Sequence, residues 1–248
     1  MDSNKIKIIK KYGFIAFILI MIIIAIFLMV RYRVEGEKNV PFKISSIIIQ
    51  GTIDGKSNST QNIFDIDLEQ NNDIYIYVEK NEDYTKELDI KSVQIDNIEI
   101  TEKNKLGSLQ LLLPTENEVE AAFIKSNEDY LNKTIEYIRD TENSMKDQKI
   151  SKKGGTVVFR LANQNIGHYV SNNTADGATV EYSKLIKELN INEQDLKFHI
   201  KMDVIIETSN NKKYKTTVEL DLPTEDFNDN GVIKKKITDC SDYVYKRV

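Results

Sequence analysis

Residues 198–222 read FHIKMDVIIETSNNKKYKTTVELDL, and this stretch decides the fold class of the chain. Apolar and polar side chains alternate on both sides of the polar segment 209–212. Alternation with a period of two is typical of strands that bury one face, and Asn accepts the left-handed backbone conformation that tight turns require. The stretch therefore predicts an antiparallel hairpin with one face in a core and the other in water.

The same pattern recurs along most of the chain and predicts a mainly β domain. A second hairpin is predicted over residues 64–78, where the polar segment 70–73 would be the turn. Further strands are predicted over 44–52, 90–100, 108–113, 156–161 and 243–248. One-sided alternation favours antiparallel sheets, so we expect a β-sandwich-like domain.

A helical insertion is predicted between the strand-rich halves. Residues 115–118, Thr-Glu-Asn-Glu, have the spacing of a capping box, and apolar residues follow at helical spacing. A helix is therefore expected over most of 116–143, followed by a charged linker. The insertion and linker, 115–150, would divide the domain into two β units, 34–114 and 151–248. One continuous sandwich is the open alternative.

A membrane span is predicted near the N-terminus. Residues 12–30 are nineteen residues without a charge, and they follow a basic segment, 1–11. A helix of that length rises about 28 Å, close to the thickness of the hydrocarbon core of a bilayer. A cleaved signal peptide is the alternative, but its apolar region has about 7 to 15 residues and ends in small residues. The sequence therefore predicts a single-pass helix that contacts the lipid bilayer through 12–30.

The orientation of the span depends on its flanking charges. Four basic residues precede the span, and four follow it closely: Arg31, Arg33, Lys38 and Lys43. Glu35 and Glu37 dilute the second group, and a large domain can cross the membrane regardless of its charge. We therefore expect the N-terminus inside the cell membrane and the domain from residue 34 onward outside it.

The charge of the domain argues against nucleic acid as a partner. Six of the 34 Lys and Arg residues and one of the 39 acidic residues precede Val34, so residues 34–248 hold 28 basic and 38 acidic residues and carry a net charge of −10. A strongly negative domain repels phosphate backbones and anionic lipid.

No catalytic or cofactor-binding residues are predicted. The two histidines, His168 and His199, are far apart in sequence, so zinc sites and histidine-based triads lack their usual ligands and bases. His199 falls on the polar face of its predicted strand. Cys240 is the single cysteine, which excludes an intrachain disulfide. Its acidic neighbours are expected to raise the pKa of the thiol and leave it unreactive.

One stretch has the pattern of a metal site. Residues 226–231 read DFNDNG and match the first six positions of a calcium loop. The candidate oxygen ligands are Asp226, Asn228 and Asn230. However, Ile237 occupies the twelfth position, where a bidentate carboxylate belongs, and three lysines, 234–236, lie beside it. These features favour a plain polar connection, with calcium as a candidate ion only.

Three short strings carry a resemblance to a known group of proteins. Residues 34–42 read VEGEKNVPF after the span, 220–223 read LDLP at a strand end, and 244–247 read VYKR. In these strings the chain resembles single-pass membrane proteins of Gram-positive bacteria whose activity is not characterised. The resemblance implies a bacterial cell-membrane setting and implies no catalytic residue.

Two classes of function are compatible with this sequence. The first is a non-enzymatic binding or envelope-assembly module, in which the tethered β domain binds another envelope protein or a wall component. The alternative is a membrane-anchored hydrolase of cell-wall glycans that uses a carboxylate pair. Such a pair needs two carboxyl groups about 5 to 10 Å apart, one of them with a raised pKa.

Overall fold

The structure is a computed structural model that describes most of the chain. The described residues are 3–37, 39–58, 64–102, 105–113, 131, 133–139, 150–171, 180–225, 227 and 231–248. An N-terminal helix, α1 (Ser3–Glu35), precedes a domain built mainly from strands. The mainly β fold class, with an apolar N-terminal helix and two antiparallel sheets, is therefore confirmed.

The strands are arranged in two antiparallel sheets. In chain order the elements after α1 are β1 (Phe42–Ser57), β2 (Phe64–Lys80), β3 (Ile90–Glu102), β4 (Ser108–Leu112), β5 (Ile135–Ile138), β6 (Ile150–Ser151), β7 (Gly154–Ser171), α2 (Tyr182–Glu188), a 3-10 turn (Glu193–Asp195), β8 (His199–Thr208), β9 (Lys213–Asp221), β10 (Val232–Ile237) and β11 (Lys246–Arg247). The first sheet has the order β10-β1-β2-β7-β4, with β6 also paired to β7. The second has the order β11-β9-β8-β3-β5. Each sheet takes strands from both predicted β units.

The hairpin predicted from residues 198–222 is confirmed. It consists of β8 and β9, which pair from His199 opposite Asp221 to Glu207 opposite Lys213. Asn211 in the turn has a φ of 60°, the left-handed conformation for which Asn is suited.

The hairpin predicted over 64–78 is wrong, because β2 continues through this segment as one strand. Residues 70–73 pair with β1 on one side and with β7 on the other, and all four are buried. The side chains of Gln70, Asn71 and Asp73 have hydrogen-bond partners on neighbouring strands, whereas that of Asn72 has none among the described residues. The Asp73 carboxylate accepts two hydrogen bonds from the Arg160 guanidinium, the second with an Nη2 to Oδ2 distance of 2.9 Å. Hydrogen bonds to neighbouring strands thus take the place of the hydrogen bonds to water that these three side chains would make in an exposed turn.

The helix predicted over 116–143 is wrong at its C-terminal end, where Ile135–Ile138 form β5. This strand pairs with β3, opposite Ser92–Ile95. Ile135 and Tyr137 are buried while Glu136 and Ile138 are exposed, which is the alternation of a strand. Two isoleucines three residues apart also fit a helix face, so this pattern could not separate the two structures. Most of the remaining insertion lies outside the described residues.

The first sheet is longer than the second and carries two cores along its length. The β2 strand has 17 residues, which corresponds to about 55 Å. One half of the long strands packs against the second sheet and forms the first core. The other half packs against α2 and the residues around it and forms the second core. Members of the second core include Ile53, Leu68, Ile166, Leu185, Ile186, Leu196 and Phe227.

Three amide side chains, which we call the amide layer, lie between the two cores. They are Gln70, Asn72 and Asn163, and none of them is exposed. The Asn163 Nδ2 group donates to Gln70 Oε1 at 3.3 Å. By contrast, neither Asn72 Nδ2 nor Asn72 Oδ1 has a hydrogen-bond partner among the residues that the structure describes. Buried amides without partners are costly, so this layer weakens the packing between the cores.

The end of α1 is joined to the 244–248 segment by several contacts, which we call the junction. The backbone N–H of Arg247 donates to the Tyr32 hydroxyl at 2.8 Å, and its guanidinium lies 2.9 Å from the Glu37 carboxylate. The Glu37 backbone N–H donates to the Tyr245 carbonyl at 2.7 Å. Gly36 has a φ of 63°, and a Cβ atom there would collide with the Tyr245 carbonyl. The first and last described parts of the β domain therefore meet at the end of the helix.

Candidate functional site

The candidate site is a cleft of about 480 Å³ at the end of β9 remote from the junction. Its walls are the end of β9 with the following segment 222–225, the region of the 3-10 turn, and β10. The polar residues that line it are Gln194, Lys197, Asp221, Thr224, Glu225, Lys234 and Lys235. We refer to this site as the cleft.

Local sequence explains why the chain opens a cleft here. Pro223 has no N–H to donate and therefore ends the ladder of β9. The preceding Leu222 is buried and donates its backbone N–H to the Phe198 carbonyl at 3.2 Å. Ile233, from β10, packs against the second core. The cleft thus lies beside the point where the second sheet ends and the second core begins.

The lining of the cleft has more basic than acidic residues, unlike the domain as a whole. Three lysines, Lys197, Lys234 and Lys235, and two acidic residues, Asp221 and Glu225, line the cleft. The lining is therefore slightly positive in a domain whose net charge is −10. Lys235 Nζ also donates to the Asp221 backbone carbonyl at 3.3 Å. A small anionic group entering the cleft would meet more positive than negative charge.

The carboxyl group of Asp221 is held in its ionised form. Its Oδ1 lies 2.8 Å from His199 Nδ1, and the hydrogen bond with His199 lowers the pKa of Asp221. Burial acts in the opposite direction but does not outweigh this hydrogen bond, since the side chain is 60 % exposed. An acid with a lowered pKa is a poor proton donor near neutral pH. Asp221 is therefore suited to positioning His199 rather than to general acid catalysis.

Other carboxyl groups in the described part of the chain show the same tendency. Every carboxyl pKa that is clearly shifted there is lowered, and the affected residues are Asp67, Asp203, Glu207, Glu219, Asp221 and Asp239. Asp203, on the outer face of the second sheet, is one of the two buried examples, with Glu207. Burial acts to raise the pKa of Asp203, but hydrogen bonds from Asn97, Thr217 and Lys215 outweigh burial.

The candidate calcium ligands Asp226, Asn228 and Asn230 lie outside the described residues. Phe227, between them, is fully buried in the second core. The Gly231 backbone N–H donates to the Phe227 carbonyl at 3.0 Å. Within the described residues, no group of three or more His, Cys, Asp or Glu side chains is arranged to hold a metal ion. Calcium binding by this loop stays a prediction.

The histidines and the cysteine occupy three separate places. His168 Nδ1 lies 2.8 Å from Asp67 Oδ1 across β2 and β7, on a surface where the His168 side chain is 55 % exposed. His199 lies next to the cleft and is only partly exposed. The pKa of Cys240 is raised, first by burial and then by Asp239, so the predicted direction is confirmed.

Sequence reasoning missed the cleft because its residues come from three separate segments. Lys197 lies in a loop, while Lys234 and Lys235 belong to a strand nearly forty residues later. In the sequence, the run of three lysines stands out only as a feature unfavourable to calcium. Its proximity to Lys197 depends on how β9 and β10 pack, and no local pattern reports that.

Comparisons of the chain with protein-family models, with curated proteins and with solved structures gave no match. The function is therefore inferred from the geometry of the cleft and of the junction.

Proposed function

We propose that this protein is a single-pass, membrane-anchored extracytoplasmic module that binds another component of a bacterial cell envelope without catalysing a reaction. One observation carries the proposal: three lysines from two separate segments line a cleft in an otherwise acidic domain. Ammonium groups at a recessed site favour a ligand that carries carboxylate or phosphate groups. An acidic region of an envelope protein or an anionic wall polymer would provide such groups.

The properties of α1 support the anchor. Its segment Lys11–Glu35 has a mean hydropathy of 3.3 in its most apolar window, and none of that window is buried inside the protein. A helix that is apolar on all sides and exposed needs lipid or another apolar partner. A lipid bilayer around the helix would remove these apolar side chains from water.

The junction gives the cleft a defined distance from the anchor. Arg247 pairs with Tyr214 near the start of β9, and Asp221 ends the same strand. Seven residues of extended chain separate Tyr214 from Asp221, which corresponds to about 24 Å. If the helix spans the membrane, the cleft lies at most about 24 Å above the membrane-proximal end of β9.

Site-specific photocrosslinking in intact cells tests the proposal. A photoreactive residue replaces Gln194 or Glu225 in the full-length protein, since both line the cleft and their replacement removes no lysine, and Lys184, an exposed residue of α2, is the control position. We expect discrete adducts from the two cleft positions and none from Lys184. The adducts should disappear when Lys234→Glu is added. Equal adducts from all three positions, or none from the cleft, would contradict the proposal.

The location of the domain is tested in the same cells. A protease added to intact cells from which the wall has been removed should digest the β domain if it is extracytoplasmic. Protection until the cells are lysed would reverse the orientation and make the domain a cytoplasmic docking module.

The glycan hydrolase is the competing proposal, and the cleft supports it less well. Asp221 and Glu225 are the carboxyl groups of the cleft, but the pKa of Asp221 is lowered rather than raised. The purified full-length protein is incubated with cell-wall glycan, with the Asp221→Asn variant as control. Release of soluble sugar by the native protein and not by the variant would replace the binding proposal with the enzymatic one.

A further inference from the structure

Exposed apolar side chains gather at the junction. Val34 is 69 % exposed, Val244 is 38 % exposed and Val248 is 63 % exposed. A Cβ atom built on Gly36 would lie 2.7 Å from Val244 Cγ1, so Val244 is next to the chain that leaves α1. Val248 is held nearby, because its backbone N–H donates to the Lys213 carbonyl at 3.1 Å.

The position of Tyr32 places these exposed valines close to the end of the apolar segment 12–30. Val30 is the last residue of this apolar segment, and Tyr32 follows it by two residues, or about 3 Å of helix. The headgroup region on each side of a bilayer is about 5 to 7 Å thick. Since the Tyr32 hydroxyl accepts a hydrogen bond from the Arg247 backbone, the 244–248 segment lies within reach of that region.

The chemistry of the segment is that of an interfacial sequence. Residues 244–248 read VYKRV, in which two exposed valines flank two basic side chains. Basic side chains beside exposed apolar ones are typical of surfaces that meet the headgroups of lipids, while Tyr245 of this segment is buried. The Glu37 carboxylate pairs with Arg247, so the surface at the junction lacks the strong negative charge of the domain as a whole, which is −10.

We propose that Val244 and Val248 contact the interfacial region of the bilayer around α1, so that the 244–248 segment forms a second membrane contact besides the helix. This inference rests on the proposed role of α1 as a membrane span. Two contacts at the base of the domain would limit its tilt and fix the direction in which the cleft faces.

The chain offers a clean probe for this contact because it contains no Trp. A single Trp at position 248 or 244 is then the only indole in the protein. Val170 and Val232 are matched controls, since they are 54 % and 53 % exposed and lie in the half of the first sheet remote from the junction. Val248 is the primary position, because Val244 packs near Gly36 and tolerates less change.

The experiment uses the full-length variants V248W, V244W, V170W and V232W in phosphatidylcholine vesicles, with and without lipid brominated near the carbonyl end of its chains. Flotation of the vesicles reports whether each variant is anchored. We expect brominated lipid to quench the indole fluorescence of V248W and V244W several-fold more than that of V170W or V232W.

The outcomes separate this inference from the proposed function. Equal quenching of all four variants in floating vesicles would overturn the second contact while leaving the anchor intact. Failure to float would overturn both. Shielding of the indole in V248W that depends on protein concentration and not on brominated lipid would assign the surface to a second copy of the chain, and would also overturn the inference.

Discussion

Replacement of Asn72 by Leu should stabilise the protein, although it removes a polar residue that sits between two paired strands. Asn72 is fully buried, and neither of its side-chain polar atoms has a partner among the described residues. An unsatisfied buried polar group costs about 1–3 kcal/mol, and an apolar side chain of similar size removes that cost. We therefore expect the free energy of unfolding to rise by about 2 kcal/mol.

The neighbouring Asn71 is the matched control for this substitution. It is nearly as buried, but its Nδ2 donates to Asp54 Oδ2 at 2.7 Å. Asn71→Leu removes a hydrogen bond to a carboxylate and should therefore lower the free energy of unfolding by about 1–3 kcal/mol. Both variants replace Asn by Leu in the same strand. If their changes in the free energy of unfolding have opposite signs, the cause is therefore the surroundings of each Asn side chain and not the strand propensity of Leu.

Urea and thermal unfolding of the full-length protein in detergent, followed by far-ultraviolet circular dichroism, measure both effects. For a domain of this size, 1 kcal/mol corresponds to a shift in Tm of about 2–4 °C. Asn72→Leu should raise Tm by about 4–8 °C. If it instead lowers Tm as much as Asn71→Leu, the amide layer holds bound water and the reasoning from unpaired atoms is refuted.

Three further predictions concern buried polar contacts. Asp73→Ala removes the carboxylate that pairs with the Arg160 guanidinium, whose side chain is 15 % exposed, so unfolding in urea should become easier by about 3–5 kcal/mol, whereas equal stability would show that solvent reaches this pair. Tyr245→Phe removes the acceptor of the Ile44 backbone N–H, 2.6 Å away, and should cost about 1–3 kcal/mol in the same assay. The lowered pKa of Asp203 stabilises the fold above its unfolded pKa of about 3.9, and this contribution is lost as the pH falls through the folded pKa. The urea midpoint of Asp203→Asn should therefore fall less between pH 6 and pH 3 than that of the native protein, and identical pH profiles would contradict this.

The hairpin of residues 198–222 could be predicted because all of its determinants lie in one local stretch. Both alternating strands and the Asn-containing turn are contiguous, so each supports the same register. The segment 70–73 could not be placed in the same way. Its Asp73 is satisfied by Arg160, which is 87 residues away in sequence, and a polar tetrapeptide without that knowledge resembles a turn.

The candidate site shows the same limit on a larger scale. The DFNDNG motif was visible because its spacing is local, whereas the lysines of the cleft belong to separate elements. Likewise, Ile135 and Ile138 fit either secondary structure, and pairing with β3 decided between them. The local sequence pattern therefore predicts single strands and helices better than it predicts which of them lie together in the fold.

The junction also constrains the order in which the protein can mature. Arg247 follows Tyr32 by 215 residues, and Tyr245 follows Ile44 by 201 residues. Contacts between such distant parts of a chain form late, because the intervening loop must be closed first. During synthesis the apolar helix α1 emerges long before the 244–248 segment that binds to its end. In the proposed membrane-spanning arrangement, the helix of a newly made molecule would already lie in the bilayer while the orientation of its domain was still free. That orientation would become fixed only after the 244–248 segment had been synthesised and had bound to the end of the helix.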